Sequence, residues 1–242
     1  MLSHCARAKG TDQANLCYHP VDERDTDKRL AAEAAVAEVR DGMLVGLGTG
    51  STAAHAIRAI GRAGLRIEAV ATSLASEALA RSCGIVLREF ADVARVDLTI
   101  DGADELDDAF RAIKGAGGAM LREKIVAAAS DRMVVIADGS KYVRAIGAAT
   151  VPVEVLPFAR SYVAHALRLY FAEVRTRAGV TDNGNLILDC AKPTGLEWER
   201  LAERLSGMPG VLGHGLFLTE VDAAYIARNG VVTRLERRGR SG

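Results

Sequence analysis

The chain has 242 residues, 49% of them hydrophobic, enough for one large or two small domains with a sizeable core. Thirty-one basic residues balance thirty-one acidic ones, and no basic run exceeds a few positions, which argues against a nucleic-acid or membrane-surface partner. The longest apolar runs are of strand length, far short of a membrane span, and four scattered cysteines (Cys5, Cys17, Cys83, Cys190) without CxxC spacing suit reduced thiols in the cytoplasm better than zinc or disulfides.

Residues 1–22 read as a disordered polar leader without chemistry. They lack the apolar core of a secretory signal, and their acidic residues speak against a transit peptide. Thr26-Asp27 can cap a helix over Lys28–Val39, with Leu30, Ala34 and Ala37 on one face. Met43–Gly48 is a buried strand, and GLGTGSTAAH (Gly46–His55) continues as a tight hydroxyl-rich loop into a helix from Ser51 to Ile60. Amides at a helix start, with the hydroxyls of Thr49, Ser51 and Thr52, make a phosphate cradle. A P-loop would need a lysine here, and the dinucleotide fingerprint would need glycine where Ser51 stands. A small phosphate monoester is the ligand that fits; an ordinary strand–helix turn is the alternative.

Residues 66–73 form the next strand, a helix runs through Glu77–Arg81, and Ile85–Leu87 opens a third strand. This alternation predicts βαβ units around a mostly parallel sheet. Val96 to Glu105 is a strand that ends in DGADE, placing Asp101 and Asp104 at a carboxyl end, where ligands of such sheets bind. These carboxylates suit a hard cation, or sugar hydroxyls and proton transfer. Glu105, Asp107 and Asp108 read as a solvated acidic turn.

KGAGGAMLREK (Lys114–Lys124) is a glycine-rich loop entering a helix over Ala119–Ala129. Gly115, Gly117 and Gly118 permit positive φ and close approach, and the helix start favours an anion. Glu123 is expected in the second turn, flanked by Met120 and Ala127, with a raised pKa from partial desolvation. Arg132–Lys141 is one more strand, ending in a polar loop with Lys141.

The remainder reads as strand (Val151–Pro157), helix (Ser161–Phe171), hairpin (Gly179–Asp189, turning at Asn183-Gly184), helix (Leu196–Leu205) and strand (Val211–Leu218). This is a ferredoxin-like α+β pattern. Ala223–Ala227 and Val231–Leu235 form a last hairpin that rejoins the main domain. The expected fold is α/β, a Rossmann-like, mostly parallel sheet flanked by helices, with a second, smaller ferredoxin-like α+β domain. The α/β domain would take residues 23–148 and 221–242, the small domain 149–220. The histidines form no HxH or HxxxH pair, and no metal site is expected.

The segments GLGTGSTAAH, DGADE, KGAGGAMLREKI, ADGSK, VPVEVLPFAR and GVTDNGNLILD, in this order, resemble the A-type ribose-5-phosphate isomerases from about Lys28 to Leu235. The resemblance implies interconversion of ribose 5-phosphate and ribulose 5-phosphate through an enediol, with no metal or organic cofactor, in a homodimer. It makes Glu123 the base, with Asp101 and Asp104 on sugar oxygens and Asp101 also in ring opening. Lys114 and the backbone of Gly115, Ala116 and Gly117 would face the enediolate oxygens. Thr49, Gly50, Ser51 and Thr52 would hold the phosphate end, Gly102 and Ala103 would line the substrate, and Lys28 and Lys141 would supply basic groups. Ala116 stands where some relatives have glycine, which matters only if that position needs positive φ. Two rivals remain: a sugar-phosphate sensor that binds without turnover, and an isomerase of another phosphosugar.

Overall fold

The computed structural model describes residues 23–195 and 197–238; the leader and Leu196 lie outside them. The first part of the chain runs α1 (Glu23–Val36), β1 (Leu44–Leu47), α2 (Ser51–Ala63), β2 (Glu68–Ala71), α3 (Leu74–Ser82), β3 (Val86–Leu87), β4 (Leu98–Gly102), β5 (Glu105–Leu106), β6 (Ala112–Ile113), α4 (Met120–Ala128) and β7 (Met133–Asp138). There follow β8 (Val151–Val155), α5 (Arg160–Leu167), β9 (Phe171–Thr176), β10 (Leu186–Pro193), α6 (Trp198–Ser206), β11 (Val211–His214), β12 (Leu216–Phe217), β13 (Ala223–Arg228) and β14 (Val231–Glu236).

Seven strands form the main sheet in the order β14-β13-β7-β4-β1-β2-β3. All neighbours are parallel except β13 and β14. The six parallel strands thus have the doubly wound order, which reverses between β1 and β4 and leaves a crevice outside their carboxyl ends. β7 is buried throughout, and its side chains alternate between two cores: Val134 and Ile136 pack with α1 and α2, and Met133, Val135 and Ala137 with Met120 and Ala127 of α4. The last hairpin turns at Asn229-Gly230, both with positive φ. Asp27, expected to cap α1, is instead buried inside it and accepts from the amides of Asn229 and Gly230 at 3.0 and 2.9 Å.

The small domain has the antiparallel order β11-β8-β10-β9 with α5 and α6, the expected ferredoxin-like layout. Its details differ from the sequence reading. α5 ends at Leu167 because Phe171, fully buried, opens β9 opposite Pro193. The Asn183-Gly184 turn sits at the tip of a wide loop rather than between paired arms. Buried Glu154 of β8 gathers that loop by accepting from Thr181 Oγ1, Asn183 Nδ2 and Asn185 Nδ2 at 2.9, 3.1 and 2.9 Å. The expected single strand over Val211–Leu218 is broken at Gly215. β11 joins the small sheet, whereas β12 pairs with β6 in a third, three-stranded sheet with β5.

Candidate active site

The crevice at the strand-order reversal holds a cleft of about 150 Å³ lined by three loops: Thr49, Gly50, Ser51 and Thr52; Gly102, Ala103 and Asp104; and Lys114, Gly115, Ala116 and Gly117, with Glu123 behind them. A larger cleft of about 410 Å³ lies elsewhere, between α3 and α4, where Arg81, Arg88 and Arg122 alternate with Glu77 and Glu89. It has no buried titratable cluster, so the smaller cleft is the better seat for chemistry.

That cluster is Asp101, Lys114 and Glu123, exposed by 0, 2 and 4%. Lys114 Nζ lies 2.9 Å from Asp101 Oδ2 and 3.2 Å from Glu123 Oε2, and donates to the carbonyl of Gly102. Neither carboxylate oxygen has a hydrogen-bond partner of good angle; only the ammonium's charge faces them. Burial, then the charge of Asp101, pushes Glu123 up to about 8, with Lys114 opposing. Burial works against the Lys114 charge, but Asp101 and Glu123 outweigh it and hold the ammonium well above the ordinary lysine value.

Local structure explains how these groups meet. Asp101 is the fourth residue of β4, and its Oδ1 accepts from the amides of Thr49 and Gly102 at 3.0 and 2.7 Å. A Cβ at Gly48 would lie 2.0 Å from that oxygen, so only glycine lets the β1 loop close on the carboxylate. Lys114 follows β6, and its amide donates to Gly215 at 2.9 Å; a Cβ at Gly215 would stand 2.1 Å from the Lys114 carbonyl. Lys114 and Lys124 both approach the ring of buried Phe217, at 5.4 and 4.0 Å from its centroid. Glu123 is in the first turn of α4, not the second, because the helix begins at Met120. Gly115 and Gly118 have φ of 109° and 81°, whereas Gly117 does not need positive φ. Ala116 also avoids it, so its methyl costs nothing there. Its amide donates to Asp104 Oδ2 at 2.9 Å.

Not every expected residue reaches the cleft. Asp101 sits behind Lys114 and does not line it. The Thr49 hydroxyl turns away to Thr72 and Ser73, 2.8 Å from each, leaving the hydroxyls of Ser51 and Thr52 and the amides at the α2 start for an anion. Gly50, at φ 103°, is the residue before that helix. Lys28 and Lys141 stand near the carboxyl edge of the sheet, beyond the lining. Glu105 and Asp107 are buried rather than solvated: Glu105 accepts from the amides of Gly147 and Ala149, and Asp107 from Arg111. Among the described residues, no three His, Cys, Asp or Glu side chains are grouped to hold a metal, and no helix is long and apolar enough to cross a membrane.

A family model described as ribose 5-phosphate isomerase A (phosphoriboisomerase A) matches residues 68–230. The ribose-5-phosphate isomerase A of Sphingopyxis alaskensis is 52% identical over 85% of this chain and 94% of its own length. That of Rhodopseudomonas palustris strain HaA2 is 46% identical over 87% and 97%. A crystal structure of ribose 5 phosphate isomerase A from Neisseria gonorrhoeae superposes with a TM-score of 0.86 at 36% identity, covering 89% of this chain and 98% of its own. A D-ribose-5-phosphate isomerase in complex with phospho-erythronic acid superposes at 0.83 with 32% identity, covering 88% and 99%.

Proposed function

The chain belongs to the ribose 5-phosphate isomerase A family, aldose–ketose isomerases that interconvert ribose 5-phosphate and ribulose 5-phosphate in the pentose phosphate pathway, and from that premise we propose that it performs this reaction through an enediolate with Glu123 as the base. The observation that carries the proposal is the buried Asp101–Lys114–Glu123 cluster at the floor of a cleft whose rim is an anion-binding helix start. Abstraction of a proton next to a carbonyl needs a base that titrates near neutrality and a fixed positive group for the oxygen. Glu123, raised to about 8, is the first; Lys114 is the second.

The charge balance favours the same assignment. Glu123 as carboxylate takes the C2 proton of the open-chain aldose, and the negative charge moves to the sugar oxygens beside Lys114. A proton passes from O2 to O1 along the enediolate, and Glu123, whose proton exchanges with solvent while the intermediate lasts, protonates C1 to give the ketose. The site's total charge is unchanged throughout, so no ion has to enter or leave a buried space. Asp104 and the amides of the glycine loop hold sugar oxygens. Asp101 acts through Lys114 and the Thr49 loop rather than on the sugar. Ser51, Thr52 and the α2 amides take the phosphate, and Lys28 and Lys141 add long-range attraction at the mouth.

The same reading carries a homodimer in the cytoplasm, with a boundary near residues 148 and 220 between a catalytic domain and a small domain whose main cores differ but which share a seam, where Ile187 and Phe217 pack with Met120 and Met133. Light scattering tests the dimer. The chemistry is tested by incubating purified protein with ribose 5-phosphate in D₂O. Ketose carrying solvent deuterium at C1 is the expected product. Binding without turnover would make the protein a sensor, and ketose formed with full retention of the C2 hydrogen would remove the enediolate.

A further inference from the structure

We propose that Arg177, gripped by Asp189, is a positioning residue of the small domain that keeps the glycine loop turned so that the Gly117 amide faces the reacting oxygens. This rests on the enediolate reading above. The Gly118 amide closes a turn on the Gly115 carbonyl at 3.0 Å, but the Ala116–Gly117 peptide has no such bond within the loop. Gly115 and Gly118 place it in conformations that only glycine adopts readily, and glycine-flanked peptides can flip at small cost.

Arg177 follows β9, and its own amide donates to the carbonyl of Ile187, which keeps it in the β9–β10 hairpin. Its Nε lies 2.9 Å from Asp189 Oδ2, and Nη2 contacts Asp189 Oδ1, so the carboxylate fixes one edge of the planar guanidinium. The remaining nitrogen, Nη1, donates to the carbonyls of Gly115 and Ala116 at 2.9 and 3.0 Å.

The two carbonyls decide where the next two amides point. The described residues contain no cis peptide, so each C=O and the following N–H point in opposite directions. With the Gly115 carbonyl turned to Arg177, the Ala116 amide must turn the other way, and it does, donating to Asp104 Oδ2 at 2.9 Å. With the Ala116 carbonyl turned to the same guanidinium, the Gly117 amide turns away from the small domain. It has no hydrogen-bond partner among the described residues, and Gly117 lines the cleft. One cation therefore aims a backbone donor that is otherwise unused at the space where negative charge would develop. The base and Lys114 come from the large domain, and the device that aims this donor comes from the other.

The test uses the full-length protein with Arg177→Met, Arg177→Lys and Asp189→Asn. Loss of one preorganised oxyanion donor costs ~10²–10³-fold, so a donor that is present but unaimed should cost ~10–100-fold in kcat. KM should shift by less than about threefold, because the phosphate loop is untouched. Arg177→Lys, which can reach a carbonyl but not the bidentate grip, should recover part of the loss. Phosphoerythronic acid, whose carboxylate stands in for the enediolate oxygens, should weaken as an inhibitor in step with kcat, while inorganic phosphate should inhibit unchanged. Wild-type kcat in folded Arg177→Met protein would overturn the proposal. So would equal weakening of both inhibitors, which is the signature of a generally loosened cleft. If the unaltered protein bound phosphoerythronic acid no better than inorganic phosphate, the enediolate reading would fall first and take this one with it.

Discussion

Replacing Glu123 with Gln should cut turnover sharply and, at neutral and alkaline pH, make the fold more stable. Burial and the neighbouring Asp101 charge raise the Glu123 carboxyl from 4.5 to about 8. The folded protein therefore keeps a proton that the unfolded chain releases above the lower value. Stability then falls as pH rises through that window, by about 1.4 kcal/mol per pH unit for one proton. The contribution is complete below the lower value and gone above about 8. Gln has nearly the same shape and no proton to lose, so near pH 7 the variant should gain roughly 3 kcal/mol on the wild type, shrinking to little near pH 4.5. Urea unfolding of both proteins across this range measures the gap, with an unchanged m-value showing that only stability moved. Activity should run the opposite way: kcat/KM of the wild type should rise toward about pH 8 as the base ionises, and the variant should lose ~10²–10⁴-fold. Parallel stability curves, or a wild type that gains on the variant as pH rises, would refute the reasoning.

Three further substitutions follow from the geometry. Lys114→Met leaves two buried carboxylate oxygens without their cation; it should cost about 3–5 kcal/mol in denaturant unfolding and at least ~10²-fold in kcat. Gly48→Ala drives a methyl into Asp101, 2.0 Å from Oδ1; a loss of about 1–3 kcal/mol with a fall in kcat is expected, and a variant that keeps both would mean the β1 loop has room to move. Ser51→Ala removes a hydroxyl at the helix start proposed to take the phosphate; KM for the sugar phosphate should rise several-fold with kcat nearly constant, read from steady-state kinetics.

Much of this site can be read from the chain because its parts are local. Strand, glycine loop and helix start are contiguous at Gly46–Thr52, and glycine loop and proposed base at Gly115–Glu123. Asp101 and Asp104 announce themselves as carboxylates at a strand end. What the sequence hides is contact over distance. Arg177 meets residue 115 from a hairpin 62 positions away, and the packing of Gly215 and Phe217 against Lys114 is visible only once β12 pairs with β6. Burial of acids is equally hidden. Glu105 looks like one of a row of solvated carboxylates until the amides of Gly147 and Ala149 arrive to bind it. Thr49 looks like a phosphate hydroxyl until Thr72 and Ser73 claim it. In each case the residue type is right for either role, and only tertiary partners choose between them.

The catalytic sheet is interrupted in the chain: β7 ends at Asp138, and its next neighbour, β13, begins only at Ala223. A growing polypeptide therefore makes every residue of the proposed reaction centre long before it can finish the layer that supports it. Until then β7, buried throughout in the finished fold, is an unpaired apolar edge open to other chains. Fragments that stop short of the last hairpin should be recovered as aggregates even though they carry Glu123, Lys114 and both aspartates, and adding the hairpin as a separate peptide should restore solubility before it restores rate.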